Sequence, residues 1–228
     1  MCGFSDYNLT MERNIDNQLE ELKKLMLEMG GYVEKALATA MEGLFKQDLN
    51  LLTSVHSIEK NVNEMQLKID NACLNVLAKQ GPVAKDLRLI LSMIKMNTDL
   101  ERMGDQCVNM AYIGKDMVER GQSVNFSDIE KMSVSARAMV KGSLDCFVRL
   151  DSAAAEKILK MDDDVDELKN HVVKTSIAMI KQNPNLTESC LDLILIARNL
   201  ERLGDHATNI AEDVIFAFTG KDIRHGGS

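Results

Sequence analysis

Apolar side chains recur at steps of three and four residues along most of this chain, which is the spacing of one face of an α-helix. The first such run begins at Ile15, Leu19, Leu22 and Met26 and continues to Leu44. Breaks in the pattern divide it into six predicted helices, at about residues 11–47, 48–80, 82–120, 128–150, 152–182 and 187–219. The first ten residues and the Gly-rich tail from residue 221 are expected to lie outside these helices.

The breaks between the predicted helices are short and carry residues that end helices. A Gly-Pro pair at 81–82 and an Asn-Pro-Asn run at 183–185 are such signals. Ser127, followed by Glu130, predicts a capping box at the start of the fourth helix. Residues 121–125 are polar, small and without periodicity, so they mark the best domain boundary.

A twelve-residue segment of the third predicted helix recurs in the sixth. Leu-Glu-Arg-Met-Gly-Asp-Gln-Cys-Val-Asn-Met-Ala at 100–111 becomes Leu-Glu-Arg-Leu-Gly-Asp-His-Ala-Thr-Asn-Ile-Ala at 200–211, with seven identities. A match of this length indicates two copies of one structural unit. Because short connections make neighbouring helices antiparallel, we expect an all-α fold of two tandem, pseudo-symmetric three-helix bundles, over residues 1–121 and 122–228.

Each copy of the segment carries two carboxylates and an amide at intervals of four residues, on one stripe of its helix. At about 100° per residue, this stripe lies opposite the apolar stripe, so its side chains are expected to face away from the bundle core. Carboxylates at i and i+4 repel each other, and a metal cation would offset that repulsion. The candidate metal ligands of the two stripes are Glu101, Asp105, Asn109, Glu201, Asp205 and Asn209.

A second acidic set occupies matching places in the second and fifth helices. It consists of Glu59 with Asn63, and of Asp162 with Asp166. Antiparallel packing is expected to bring each pair to the acidic stripe of the following helix, where several carboxylates could hold more than one metal ion. Because the second site has Asp166 where the first has Asn63, we expect the second to bind metal more strongly. A merely solvated acidic face is the alternative for both.

The segment also contains a glycine in each copy and a histidine in the second. Gly104 and Gly204 each cost about 1 kcal/mol relative to Ala in a helix interior, so a closely approaching helix or bound species is expected there. His206 is expected to be exposed and solvated, with metal ligation as the alternative. The sequence has no Glu-x-x-His motif, so a ferritin-type site is disfavoured. It also lacks a recognisable nucleophile–base pair or phosphate loop.

Composition supports a helical protein built from aliphatic side chains and Met. Aromatic residues make up 4%, Trp is absent and Met occurs 15 times. The net charge of −8 argues against nucleic-acid binding, which favours a basic face. The five Cys form no CxxC motif, and because three of them fall on apolar helical stripes, buried and reduced thiols are expected. With neither a signal-peptide pattern nor a membrane-length apolar run, a cytoplasmic location is expected.

The doubled Leu-Glu-Arg-x-Gly-Asp-x-x-x-Asn-x-Ala motif resembles the PhoU family of phosphate-transport accessory proteins. Two further segments share this resemblance: Asp-Leu-Arg at 86–88 after Pro82, and Gly-Lys-Asp-Ile-Arg-His at 220–225. The resemblance implies two three-helix bundles that bind multinuclear metal clusters, often iron or zinc, with manganese, magnesium and nickel as alternatives. The surface E/D-x-x-x-D motifs of the family correspond to Glu101/Asp105, Glu201/Asp205 and Asp162/Asp166, whereas Glu59/Asn63 departs from the motif at its second position.

The same resemblance implies a non-enzymatic regulator of phosphate supply. Its role would be negative control of the phosphate-starvation response, by linking the ATPase subunit of the phosphate ABC transporter to a membrane sensor histidine kinase. We expect a homodimer that reaches the membrane only through these partners. The alternatives are a carboxylate-bridged metal oxygenase or ferroxidase, a metal-storage bundle, and a helical scaffold whose acids are merely solvated.

Overall fold

Six α-helices make up nearly all of the chain in this computed structural model, which describes residues 4–121 and 124–223, with side chains from residue 15. They are α1 (Phe4–Lys46), α2 (Leu49–Gln80), α3 (Ala84–Arg120), α4 (Ser127–Arg149), α5 (Ser152–Gln182) and α6 (Thr187–Thr219). A 3₁₀ turn, Pro184–Leu186, precedes α6. No strand occurs within these residues, and the all-α prediction is confirmed.

Local capping residues account for the start of α2 and for the C-terminal end of α3, both as predicted. The side chain of Asp48 accepts hydrogen bonds from the backbone N–H groups of Asn50, at 2.8 Å, and Leu51, at 3.3 Å. These bonds satisfy donors that the first turn of α2 cannot pair internally. Gly121 ends α3 with a left-handed φ of 66°, and its N–H donates to the carbonyl of Val118.

Two helix starts differ from the sequence prediction. α1 begins at Phe4 rather than near residue 11, because the residues in between contain neither Pro nor Gly to stop the helix. The predicted capping box at Ser127 is also wrong: Phe126 holds the N-cap position. There the side chain of Asn125 accepts from the backbone N–H of Ser127 at 2.9 Å, so the cap comes from the linker side.

Helices α1–α3 form one bundle and α4–α6 a second, as the repeat predicted. The two bundles meet mainly through α3 and α6, with a smaller junction between α1 and α4. The Ser92 hydroxyl, near the start of α3, donates to the carbonyl of Asp213, near the end of α6. Arg120, at the end of α3, pairs with Asp192, near the start of α6. These contacts show that α3 and α6 run antiparallel.

The apolar stripes of all six helices form one continuous core through both bundles. Matching residues of the two repeats, such as Leu100 and Leu200, are fully buried in it. The division into domains at residues 121 and 122 therefore stays a prediction, since no break in the core separates the halves. Among the described residues, no helix combines the length and hydropathy needed to cross a bilayer.

Four cysteines are free and buried, as expected for reduced thiols: Cys73, Cys107, Cys146 and Cys190. Burial raises the pKa of Cys73 to about 12 and that of Cys107 still further, so both thiols are held in the unreactive protonated form. The expectations for Cys2 and for the end of the tail, residues 224–228, lie outside the described residues.

Candidate metal-binding seams

The repeated segments lie on α3 and α6, with their acids on the outer side of each helix. Glu101 and Glu201 are half-buried, whereas Asp105 and Asp205 are exposed. The opposite sides of these helices carry fully buried residues of the core, so the predicted outward direction of the acids is confirmed. Asn109 and Asn209 continue the two stripes and are likewise exposed.

Each repeated glycine lies under the preceding helix of its bundle. A Cβ added to Gly204 would lie 3.3 Å from Oδ1 of Asp162, and one added to Gly104 would lie 3.3 Å from Cγ1 of Val62 and 3.7 Å from Cγ of Glu59. The predicted close helix approach is therefore confirmed at both positions. It places the acids of α2 beside those of α3, and the acids of α5 beside those of α6.

These contacts define two seams between helices. The first seam comprises Glu59, Asn63, Glu101 and Asp105, on α2 and α3. The second seam comprises Asp162, Asp166, Glu201 and Asp205, on α5 and α6.

The second seam contains a lysine that the sequence analysis did not foresee. The Lys169 ammonium donates to Oδ1 of Asp166 at 3.0 Å and to Oε1 of Glu201 at 3.1 Å, and so joins α5 to α6. Its two carboxylate partners raise the pKa of Lys169. The spacing of three residues between Asp166 and Lys169 predicts their pairing, but the reach to Glu201 is a tertiary contact.

The remaining acids of the second seam carry charge that their surroundings do not fully offset. Burial and the neighbouring carboxylates of Asp205, Asp166 and Glu201 together raise the pKa of Asp162 to about 6. Burial also raises the pKa of Asp205, which His206 and Lys169 lower only in part. Carboxylates held in this way have an electrostatic preference for a proton or a metal cation.

The first seam has an amide, that of Asn63, in place of the lysine ammonium. Nδ2 of Asn63 donates to Oε1 of the buried Glu59. Oδ1 of Asn63 is also buried, and no donor in the described part of the chain reaches it. Burial raises the pKa of Glu101, as do the charges of Asp105 and Glu59, whereas Arg102 lowers it. The orphaned amide oxygen and the crowded carboxylates suit a hard cation.

The seams bring oxygen donors together without completing a coordination shell. Within the described residues, no three His, Cys, Asp or Glu side chains form a ready-made metal site. Carboxylate and amide oxygens nevertheless fit Mg, Mn, Fe and Zn, and Oδ1 of Asn63 is a potential metal ligand that no hydrogen-bond donor of the described residues reaches. Metal binding at the seams would therefore require side chains to rotate toward the ion.

A partly buried polar cluster joins the two bundles next to the seams. Nδ1 of His206 donates to Oδ1 of Asp99 at 2.8 Å, and Nδ2 of Asn209 donates to the same oxygen at 3.1 Å. The expectation that His206 is exposed is wrong: it is 7% exposed, because α3 covers it. A difference between the repeats could have revealed this contact. Asp99 corresponds to Asn199 in the second repeat, and His206 corresponds to Gln106 in the first.

Comparison with known proteins gives consistent matches across the chain. A family model of the PhoU domain matches twice, at residues 26–113 and 129–214. The phosphate-specific transport system accessory protein PhoU homolog of Pseudomonas putida is 34% identical over 218 residues, covering 95% of this chain and 85% of that protein. The accessory protein PhoU of Escherichia coli (strain K12) is 30% identical over 224 residues, covering 96% and 93%.

A solved structure extends this likeness to three dimensions. The crystal structure of PhoU from Pseudomonas aeruginosa superposes with a TM-score of 0.87 at 34% sequence identity. The match covers 90% of this chain and 99% of that one. The tandem arrangement of the two bundles is therefore shared along nearly the whole length of that protein.

Proposed function

The chain belongs to the PhoU family, and from that membership we propose that it is a cytoplasmic regulator of phosphate uptake. PhoU proteins are accessory proteins of phosphate transport rather than enzymes, so the oxygenase and ferroxidase alternatives are set aside. In this proposal the chain restrains the phosphate-starvation response by linking the ATPase subunit of the phosphate ABC transporter to a sensor histidine kinase, and it acts as a homodimer.

The observation that carries the proposal is the doubled motif and its placement. Both copies of the Glu-Arg-x-Gly-Asp segment lie on the outer faces of α3 and α6, where metal ions and protein partners can reach their carboxylates. A regulator that joins two partners needs accessible, chemically distinct surfaces rather than a closed catalytic cavity.

The metal is the second part of the proposal. The first seam would hold it through Glu59, Asn63, Glu101 and Asp105, and the second through Asp162, Asp166, Glu201 and Asp205, with Asn109 and Asn209 at the ends of the stripes. A bound iron or zinc cluster would neutralise these carboxylates and join α2 to α3, and α5 to α6. The structural support is the pKa of Asp162, raised by burial and by neighbouring carboxylates, and the orphaned Oδ1 of Asn63.

Deletion of the gene tests the regulatory role. In phosphate-rich medium, we expect the deletion to derepress alkaline phosphatase and phosphate uptake, because the restraint on the response is lost. A plasmid copy of the wild-type gene should restore low phosphatase activity. Phosphatase activity that stays low in the deletion strain would rule out negative regulation.

Metal content tests the seams directly. The protein purified without chelators is analysed by inductively coupled plasma mass spectrometry. The double variant Asp105→Ala/Asp205→Ala should lose most of the bound metal and keep its helical circular dichroism, because both side chains lie outside the core. Asp116→Ala, which removes an exposed carboxylate of α3 outside the motif, is the matched control. Equal metal content in all three proteins would contradict the site.

Partner binding is tested with purified proteins. The transporter ATPase and the cytoplasmic part of the sensor kinase are each immobilised and exposed to the chain with and without metal. Retention by both supports the linking role, and retention by neither contradicts it. Light scattering during size-exclusion chromatography measures whether the chain is a dimer.

A further inference from the structure

Lys169 places a positive charge inside the second seam. It lies one turn after Asp166 on α5, and its ammonium also reaches Glu201 on α6. Its side chain is 23% exposed and that of Glu201 is 21% exposed, so both charged ends are partly withdrawn from water. Charge-assisted hydrogen bonds in such surroundings are stronger than those of freely exposed ion pairs.

The first seam has no lysine at the matching position. The offset that aligns Asp162 and Asp166 with Glu59 and Asn63 aligns Lys169 with Gln66, a neutral amide. Among the side chains that define each seam, the first therefore has three carboxylates and an amide, and the second has four carboxylates and this ammonium. Both reach a formal charge of −3, but only the second does so with the help of a lysine ammonium.

An ammonium and a metal ion would compete for the same oxygens. The two oxygens that accept from Lys169, on Asp166 and Glu201, belong to separate helices, and both are among the proposed metal ligands of the second seam. A divalent cation beside Lys169 would also meet the repulsion of a like charge. The long, flexible stem of lysine allows the ammonium to swing into solvent when it is displaced.

We propose that the Lys169 ammonium occupies the cation position of the second seam in the metal-free protein and must be displaced before a divalent cation binds there. This inference rests on the proposed metal binding of the seams. Its consequence is an order of filling: the first seam, with no ammonium to displace, fills at the lower metal concentration. The extra carboxylate of Asp166, which favoured the second seam in the sequence analysis, is already neutralised.

Titration of each seam separately with Mn²⁺ tests the order of filling. Free Mn²⁺ is followed by electron paramagnetic resonance, with Glu101→Gln/Asp105→Asn disabling the first seam and Asp162→Asn/Asp205→Asn disabling the second. In the first of these backgrounds, Lys169→Met keeps the aliphatic stem and removes the charge. We expect it to lower the Kd of the second seam at least about tenfold. Lys174→Met, an exposed lysine of the same helix, should leave the Kd unchanged.

Amine labelling of the wild-type protein gives a second readout that needs no variant. Acetic anhydride modification of Lys169 is measured by mass spectrometry with and without Mn²⁺. Displacement into solvent should raise the labelling of Lys169 several-fold at saturation of the second seam, whereas that of Lys174 stays constant. Unchanged labelling of Lys169 at saturation would overturn the displacement.

The outcomes separate this inference from the proposed function. Mn²⁺ binding at the second seam with a Kd that Lys169→Met leaves unchanged or weakens overturns the displacement and keeps the metal seams. Tighter binding in Lys169→Met than in the parent, or binding only in that variant, supports it. A second seam that fills before the first in the parent proteins overturns the order of filling. No Mn²⁺ binding by either seam in any variant overturns both proposals.

Discussion

The two bundles share one apolar framework and differ in the polar residues around it. Leu100 and Leu200 are both fully buried, and Gly104 and Gly204 each lie under the preceding helix. The differences between the seams occur on the helix that precedes the repeated segment, where one seam carries an amide and the other a lysine and an extra aspartate. The repeated framework therefore fixes where the seams lie. A few polar substitutions decide whether an amide or an ammonium binds the carboxylates of each seam.

Matched core truncations test the shared framework and should give the largest effect. Leu100→Ala and Leu200→Ala remove the same side chain from matching, fully buried positions. Each should lower the free energy of unfolding by about 3 kcal/mol through lost burial and the cavity left behind. Guanidinium denaturation followed by circular dichroism measures both. Effects that differ by more than about 1 kcal/mol would contradict equivalent core positions.

Substitutions at the junction between the bundles should give the next largest loss of stability. Only the end that contains Asp99 should show it. Asp99→Ala leaves the buried ring N–H of His206 and the amide N–H of the exposed Asn209 without their shared acceptor, which should cost about 2 kcal/mol. The matching Asn199 donates to the carbonyl of Leu195 in its own helix, so Asn199→Ala should stay within about 0.5 kcal/mol of wild type. Comparable losses in the two variants would contradict an asymmetric junction.

The charge of the second seam should appear as a pH dependence. The pKa of Asp162, raised to about 6 in the folded protein, exceeds its ordinary value in the unfolded chain. The folded state therefore binds more protons between about pH 4 and pH 6, so the Asp162 contribution to stability falls as pH rises through that window. At about pH 7.5 with a chelator present, Asp162→Asn should stabilise the fold by roughly 1 kcal/mol, discounted for solvent screening.

Thermal unfolding at several pH values measures this gain. It should shrink as pH falls below about 4, because the carboxyl then becomes protonated in the unfolded state as well. Asp164→Asn removes an exposed charge of the same helix outside the seam and controls for net charge. A gain for Asp162→Asn that does not depend on pH would contradict a titrating carboxylate as its cause.

Glycine substitution should give the smallest effect and distinguish the surroundings of the two seams. Alanine gains about 1 kcal/mol of helix propensity over glycine. At Gly204 the new methyl group meets the end of the Asp162 side chain, which can rotate away. At Gly104 it meets the branched Val62, which is packed in the core. Gly204→Ala should therefore be more stable than Gly104→Ala by roughly a few tenths of a kcal/mol, as measured by thermal unfolding. The reverse order would contradict this.

The periodicity of apolar residues predicted most of the fold because burial selects one face of each helix. It placed the repeated acids outside the core, whereas the cost of glycine in a helix interior predicted the close approach of a neighbouring helix, as at Gly204. The start of α1 was missed because a helix continues through residues that lack a stop signal. The box at Ser127 was wrong because a side chain earlier in the linker, that of Asn125, makes the cap.

The polar contacts of the site were less predictable. Periodicity shows which side of a helix faces solvent, but not which solvent-facing residue another bundle covers. His206 lies on the edge of its apolar stripe, and its burial depends on α3. Lys169 has a stem long enough to reach two helices, and its partner Glu201 is distant in sequence. Comparing the repeats position by position marks both residues as different from their counterparts, Gln106 and Gln66.

The antiparallel pairing of α3 with α6 has a consequence for the origin of such a chain. A precursor with a single bundle could cover the same helix face only by pairing with a second copy of itself about a twofold axis. In that homodimer every contact would occur twice, and a substitution would alter both ends of the interface at once. Fusion of the two copies removes this restriction, which allows Asp99 to bind His206 at one end while the matching Asn199 donates to Leu195 of its own helix at the other.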